Sequence, residues 1–461
     1  MATTKRVYQC SACGHTHAKW GGKCDECGQW NTLEESTQTP LVKKAQSAAS
    51  AFSGIGSGLT PIDLRARVAP PPRVSTGNGE FDRVLGGGLV EGSVTLLAGD
   101  PGAGKSTLLM QTLAYLATTG IPVLYASGEE SADQIQMRAQ RLGVTESPLQ
   151  LVTSNDAQGI AGLMERMPRG AILAVDSIQA MDAGAESSPG SVAQVKAAAS
   201  LFTPLAKTRG ITTILVNHVT KEGSFAGPQL LRHAVDVSLL LQNDTSQGYM
   251  RVLRADKNRF GADDEIGLFD MTEGGLEPIT NPSEFFMAQR AQDAFGTVIF
   301  ASLEGTRPLL VEVQALVAPS AFGTGRRQST GWDTGRMNMI LAMLTTRLGM
   351  MLGDKDVYIN VAGGLKITDP GMDAAVVLAL LSAYHQRPVK DTVAVFGEVG
   401  LAGEIRGVTR PEARLREALG LGFTTVVCPN LRNGVPKGTT GKVLTFDKAA
   451  RFLEHLDTLM V

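Results

Sequence analysis

Gly99-Asp100-Pro101-Gly102-Ala103-Gly104-Lys105-Ser106-Thr107 matches the phosphate-binding pattern G-x-x-x-x-G-K-[ST] at every required position. Its flanks fit as well. Ser93–Ala98 (SVTLLA) reads as a buried strand, and Leu108–Leu116 (LLMQTLAYL) as an apolar-faced helix. In a strand–loop–helix setting the glycines let backbone N–H groups wrap phosphates at a helix N-terminus. Lys105 adds positive charge at the β- and γ-phosphates, and Ser106 offers a hydroxyl to Mg²⁺. A nucleoside triphosphate is the expected ligand.

The 461 residues exceed one ordinary domain and predict two or three. With 43% hydrophobic and 19% charged residues, substantial cores are expected. A net charge of −2 requires any nucleic-acid binding to use a local channel or patch. No apolar run approaches the about 18 residues of a membrane span, so no membrane association is expected. The start, MATTKRVYQC, lacks the apolar segment of a secretory signal, and a cytoplasmic location follows as an expectation.

Outward from the P-loop, residues 31–75 are small and polar, including QSAASAFSGIGSG and APPP, and suit a linker or arm. Residues 76–280 alternate apolar strands with helical segments, as in a mostly parallel α/β sheet. Candidate strands are Ser93–Ala98, Pro122–Ser127, Ala171–Val175, Thr212–Asn217 and Val235–Leu241. Residues 281–336, ending in the Gly/Arg-rich GTGRRQSTGWDTGR, read as a connection into a second α/β unit at 337–461.

Residues 1–30 hold four of the five cysteines, as Cys10-x2-Cys13 and Cys24-x2-Cys27, separated by ten residues. Two such knuckles complete a tetrahedral Cys₄ site for Zn²⁺. Two disulfides are the alternative, which a reducing cytosol disfavours. Four thiolates leave no open coordination position, so the zinc is structural. His15 and His17 are surplus as ligands, and Cys428 reads as an ordinary buried thiol.

Ala171–Asp176 (AILAVD) is an apolar strand ending in a carboxylate, as a Walker B strand does. Asp176 at its C-terminal edge would hold the Mg²⁺ shell beside the P-loop. Hydrolysis also needs a group that polarises water. Glu129, at the end of the strand after the P-loop helix, is assigned that role, with Glu130 as the fallback; both acids would also favour a following helix N-terminus. His218 ends the strand Thr212–Asn217 and is a candidate γ-phosphate sensor. The following loop, Lys221–Asp236, with Gly223, Gly227, Pro228 and the cations Lys221 and Arg232, is a candidate grip on a DNA strand. Lys257 and Arg259, in KNRFG, flank a turn and could reach an anion on a neighbouring subunit or simply be solvated.

The four cysteines, the lead-in TGNGEFDRVLGGGL at Thr76–Leu89, GDPGAGKST, YASGEES and KNRFG together closely resemble the RadA (Sms) family of bacterial DNA repair proteins, from Val7 to the C-terminus. That resemblance implies a RecA-like ATPase core, a C-terminal domain like the proteolytic domain of Lon, and a homo-hexameric ring around single-stranded DNA. It further implies helicase-like branch migration of branched DNA in homologous recombination, in partnership with a RecA-type recombinase. On this analogy Lys257 and Arg259 act across the subunit interface, and Arg326-Arg327 lies between two ring tiers near DNA. By alignment, Met372 stands where a Lon protease has its serine and Glu412 where it has its lysine, so no peptidase activity is expected. A KaiC-like regulatory ATPase, sharing the core and the GGGL lead-in but acting through protein partners, is the rival reading.

Overall fold

The computed structural model describes residues 7–10, 16–17, 19–24, 30, 33–36, 70–185, 190–218, 229–243, 250–287, 293–320 and 324–461. The chain divides into two units, Met1–Pro70 and Pro71–Val461.

In the first unit, Val7–Cys10 pairs antiparallel with both Thr16–His17 and Leu33–Ser36, and Lys23 bridges to Trp30. Cys10 closes the first strand and Cys24 is fully buried. The side chain of Cys10, together with Cys13 and Cys27, lies outside the described residues, as does 37–69 of the expected linker.

The second unit is built on a nine-stranded sheet. Its strands are β1 (Val94–Gly99), β2 (Val123–Ser127), β3 (Gln150–Thr153), β4 (Ile172–Asp176), β5 (Thr212–His218), β6 (Val237–Asn243), β7 (Met250–Asn258), β8 (Ile266–Thr272) and β9 (Gly275–Pro278). The order is 9-8-7-6-1-5-4-2-3. Strands β1 to β6 run parallel, whereas β7, β8 and β9 extend the sheet antiparallel. Every residue of β1, β2 and β4 is buried, which is why these strands read as unbroken apolar runs instead of alternating ones.

Helix α1 (Gly79–Leu85) and helix α2 (Lys105–Thr118) cover one face, through Phe81, Leu109, Leu113 and Leu116. Ala157–Met164 and Val192–Arg209 cover the other, through Ile160 and Phe202. Asn78 starts α1 by accepting the N–H groups of Glu80 and Phe81, and Gly86, in the left-handed region, ends it. Helix α3 (Ala132–Arg141) opens with a capping box between Ser131 and Gln134.

A seven-stranded sheet follows: β10 (Thr297–Glu304), β11 (Arg307–Pro319), β12 (Arg327–Thr330), β13 (Lys355–Val361), β14 (Val393–Val395), β15 (Thr425–Pro429) and β16 (Lys442–Phe446), in the order 12-13-11-10-14-15-16. The helix Asp373–His385, buried from Asp373 to Ala383, forms the heart of its core. The stretch 281–336, expected to be a connection, therefore supplies the sheet's long hairpin β10–β11. After Val393–Val395 the chain leaves the sheet, and Glu398–Val399 pairs instead with Ile405–Arg406.

The tip of that hairpin fastens the two sheets together. Glu304 pairs with Arg254 of β7 at 3.2 Å, Thr306 donates to Glu265, and buried Arg307 pairs with buried Glu80 of α1. Between them Gly305 has φ +62, and a Cβ there would stand 1.9 Å from the Asp264 carbonyl oxygen. Only glycine fits that close approach.

Candidate functional site

The carboxyl ends of β1, β2, β4 and β5 open on one cleft of about 770 Å³, where a parallel α/β sheet places its ligands. Gly102, Gly104, Lys105, Ser106 and Thr107 line one wall, and Glu129, Asp176 and His218 another. Gly104, at φ +100, is the residue before α2. A Cβ there would lie 2.7 Å from Met271 Cε, so the β8–β9 hairpin closes down on the phosphate loop. Gln111 of α2 fixes that hairpin, accepting from Leu276 N at 3.0 Å.

Lys105, 4% exposed, donates to the carbonyls of Gly99 (2.8 Å) and Asp100 (2.9 Å) and stands 3.1 Å from His218 Nδ1. Burial pushes its ammonium below the ordinary lysine value, against the opposing pull of Asp176, Asp100 and Glu129. His218 Nε2 lies 3.6 Å from Glu129 Oε2, and Ser177 donates to Glu129 Oε1. These contacts hold the Glu129 carboxyl below its usual range, the His218 hydrogen bond foremost. Gln179 in turn clamps the His218 backbone, accepting from its N–H and donating to its carbonyl at 3.1 Å each.

The two adjacent acids are separated by their partners. Glu130 is gripped bidentately by Arg138 of α3, whereas Glu129 faces the cleft's lysine and histidine. Asp176 is 5% exposed and accepts at Oδ2 from Tyr125, 2.7 Å away. This donor set, a glycine loop with an ammonium on one wall and two acids opposite, fits a nucleoside triphosphate with a divalent cation, Ser106 and Asp176 being the residues that would hold the metal.

Lys257 and Arg259 belong elsewhere. Lys257 sits near the end of β7, just before the bend that starts at Arg259, and donates to the carbonyls of Arg232 and Val235 at 2.7 Å each. Arg259 pairs with Asp236 at 3.1 Å, and Asp236 Oδ2 also accepts from Val94 N. Val94 begins β1 and Gly99 ends it, so the two cations lie at the opposite edge of the sheet, about 17 Å of strand from their own P-loop. β7 thus runs from Arg251, which lines the cleft, to Lys257 at the far edge.

Of the loop expected to grip DNA, Lys221 and residues up to 228 lie outside the described residues, and Arg232 is engaged by Asp256 at 2.8 Å. Arg326 N donates to Asp356, and Arg327 is turned onto the carbonyls of Lys355 and Leu352. Met372 is fully buried. Two residues after Glu412, Arg414 makes a buried ion pair with Asp369 and donates to Ala301 O at 2.8 Å. Cys428 is buried, which pushes its thiol up to about 12.

Tyr125, Arg138, Ser177, Gln179 and Arg251 are the site residues that sequence reasoning missed. Tyr125 carried a faint signal as a hydroxyl-bearing side chain within the apolar run Val123–Ala126.

Residues 78–224 match the AAA domain family, and residues 8–35 match the rubredoxin metal binding domain, consistent with a zinc ribbon. The DNA repair protein RadA of Bacillus subtilis is 44% identical over 433 residues, 93% of each chain. That of Pseudomonas aeruginosa is 45% identical over 464 residues, spanning both chains entirely. Among solved structures, the RadB recombinase is 25% identical with a TM-score of 0.37, covering 44% of this chain and 99% of its own. Among the described residues no helix is long and apolar enough to cross a membrane. With a RecA-like ATPase core behind an N-terminal zinc ribbon, and near-complete coverage of its relatives, the chain belongs to the RadA family of DNA repair proteins.

Proposed function

We propose that this protein is an ATP-driven DNA translocase and helicase, which promotes branch migration of recombination intermediates in the cytoplasm as a ring of six subunits, in partnership with a RecA-type recombinase. The observation that carries this reading is the separation of Lys257 and Arg259 from their own P-loop. Cations that cannot reach their own nucleotide are suited to a neighbour's, and head-to-tail contacts of that kind close into rings.

Within each cleft, Lys105 binds the β- and γ-phosphates and Asp176 with Ser106 holds the metal. Bound Mg²⁺ neutralises phosphate charge. Glu129 accepts a proton from, or orients, the attacking water, and His218 keeps that carboxylate in place while reading the lysine beside it. Cys10, Cys13, Cys24 and Cys27 would hold a Zn²⁺ that supplies the folding free energy of the N-terminal ribbon.

The C-terminal domain acts as a Lon-like scaffold without peptidase activity. Met372 carries no nucleophile, Glu412 no amine, and the neighbouring ion pair of Arg414 and Asp369 fills the interior with a structural contact.

The test is migration of a labelled single-stranded tail through a synthetic three-strand junction. ATP-dependent movement that Lys105→Ala abolishes is expected. A protein that hydrolyses ATP without moving the junction, with or without recombinase, would instead be a KaiC-like regulatory ATPase.

A further inference from the structure

Tyr125 is fully buried in the apolar layer under α2, beside Val123, Ile135 and Ala174. A phenol in such a layer needs a partner for its hydroxyl, since an unpaired buried polar group is costly. Among the described residues the hydroxyl finds Asp176 Oδ2, at 2.7 Å, on the neighbouring strand. Asp176 borders the cleft, so one carboxylate oxygen is occupied from beneath and the other remains for the cleft.

We propose that Tyr125 is a positioning residue for the metal shell, its hydroxyl fixing the Asp176 carboxylate so that only one oxygen is presented to the cation beside the triphosphate. The inference rests on Asp176 being the metal-holding carboxylate. A carboxylate with one oxygen committed has fewer orientations to lose when the metal binds, the usual benefit of a second-layer contact. Arg138 and Glu130 do not substitute for the phenol, because they are committed to each other.

The test is Tyr125→Phe, which keeps the ring and removes only the hydroxyl, compared with Asp176→Asn and the double variant. Binding of a fluorescent ATP analogue is titrated against Mg²⁺, with binding in EDTA and thermal unfolding as companions. Tyr125→Phe should raise the half-saturating Mg²⁺ concentration about five- to tenfold, in line with loss of one charge-assisted hydrogen bond. Binding in EDTA should be unchanged, and the double variant should match Asp176→Asn. A Tyr125→Phe protein with the parent's Mg²⁺ dependence, where Asp176→Asn shifts it, overturns the role of Tyr125 alone. An Asp176→Asn protein with an unshifted Mg²⁺ dependence overturns the assignment of Asp176 and the proposal with it.

Discussion

His218 Nδ1 lies 3.1 Å from Lys105 Nζ, a contact in which the ammonium donates and the imidazole accepts. That leaves Nε2 to carry the proton, and Nε2 faces Glu129 Oε2 at 3.6 Å. One imidazole therefore spans the two groups that a triphosphate would separate, the P-loop lysine and the water-orienting acid.

Removing the imidazole should harm turnover more than binding. His218→Ala is expected to lower the hydrolysis rate about a hundredfold while leaving nucleotide affinity nearly unchanged, because Lys105 keeps its own route to the phosphates. Steady-state hydrolysis beside equilibrium binding of a fluorescent nucleotide checks this. Equal losses in both would make His218 a part of the binding wall only.

The pH profile follows from the same contacts. The Glu129 carboxyl is held low, first by the His218 hydrogen bond and then by Ser177 and Lys105, against burial. A depressed carboxyl stays ionised above its folded value, so the acid limb that it imposes on hydrolysis falls below the ordinary glutamate range. In His218→Ala that limb should move upward, seen as activity lost at higher pH during acidification. An acid limb identical in the two proteins would assign it to another group.

Mixed assemblies test the far-edge cations. Arg259→Ala subunits retain an intact cleft, and Glu129→Gln subunits retain Arg259. Mixed in equal amounts, the two inactive proteins should recover hydrolysis at about one interface in four, as head-to-tail contacts dictate. No recovery would confine Arg259 to its own subunit, as the partner of Asp236 at 3.1 Å.

The hairpin tip predicts a stability effect remote from the cleft. Arg307→Ala strands the Glu80 carboxylate, 4% exposed, with the Leu268 N–H at 2.9 Å as its remaining hydrogen bond. Breaking one side of a buried pair costs about 3–5 kcal/mol. Denaturant unfolding should show that loss, and a change under about 1 kcal/mol would mean that the tip relaxes freely.

That the P-loop, Asp176, Glu129 and His218 share one cleft was legible because each ends or closely follows an apolar strand, and strand ends of a parallel sheet converge on one edge. Their partners were not. Tyr125 and Asp176 are 51 residues apart, and Arg307 and Glu80 are 227 apart, separations at which no local pattern records a contact. The hairpin Thr297–Pro319 was hidden for a different reason. Most of its positions are buried on both faces, so the alternation that marks a half-exposed strand is missing. Lys257 was legible as a charge, but the carbonyls of Arg232 and Val235 that it engages lie 25 and 22 residues away.

The most direct measurement is ATP hydrolysis with and without single-stranded DNA, beside the Lys105→Ala protein as the inactive reference. A DNA motor requires strong stimulation by DNA that vanishes in Lys105→Ala. Hydrolysis that is robust, lost in Lys105→Ala and yet indifferent to DNA would contradict the account.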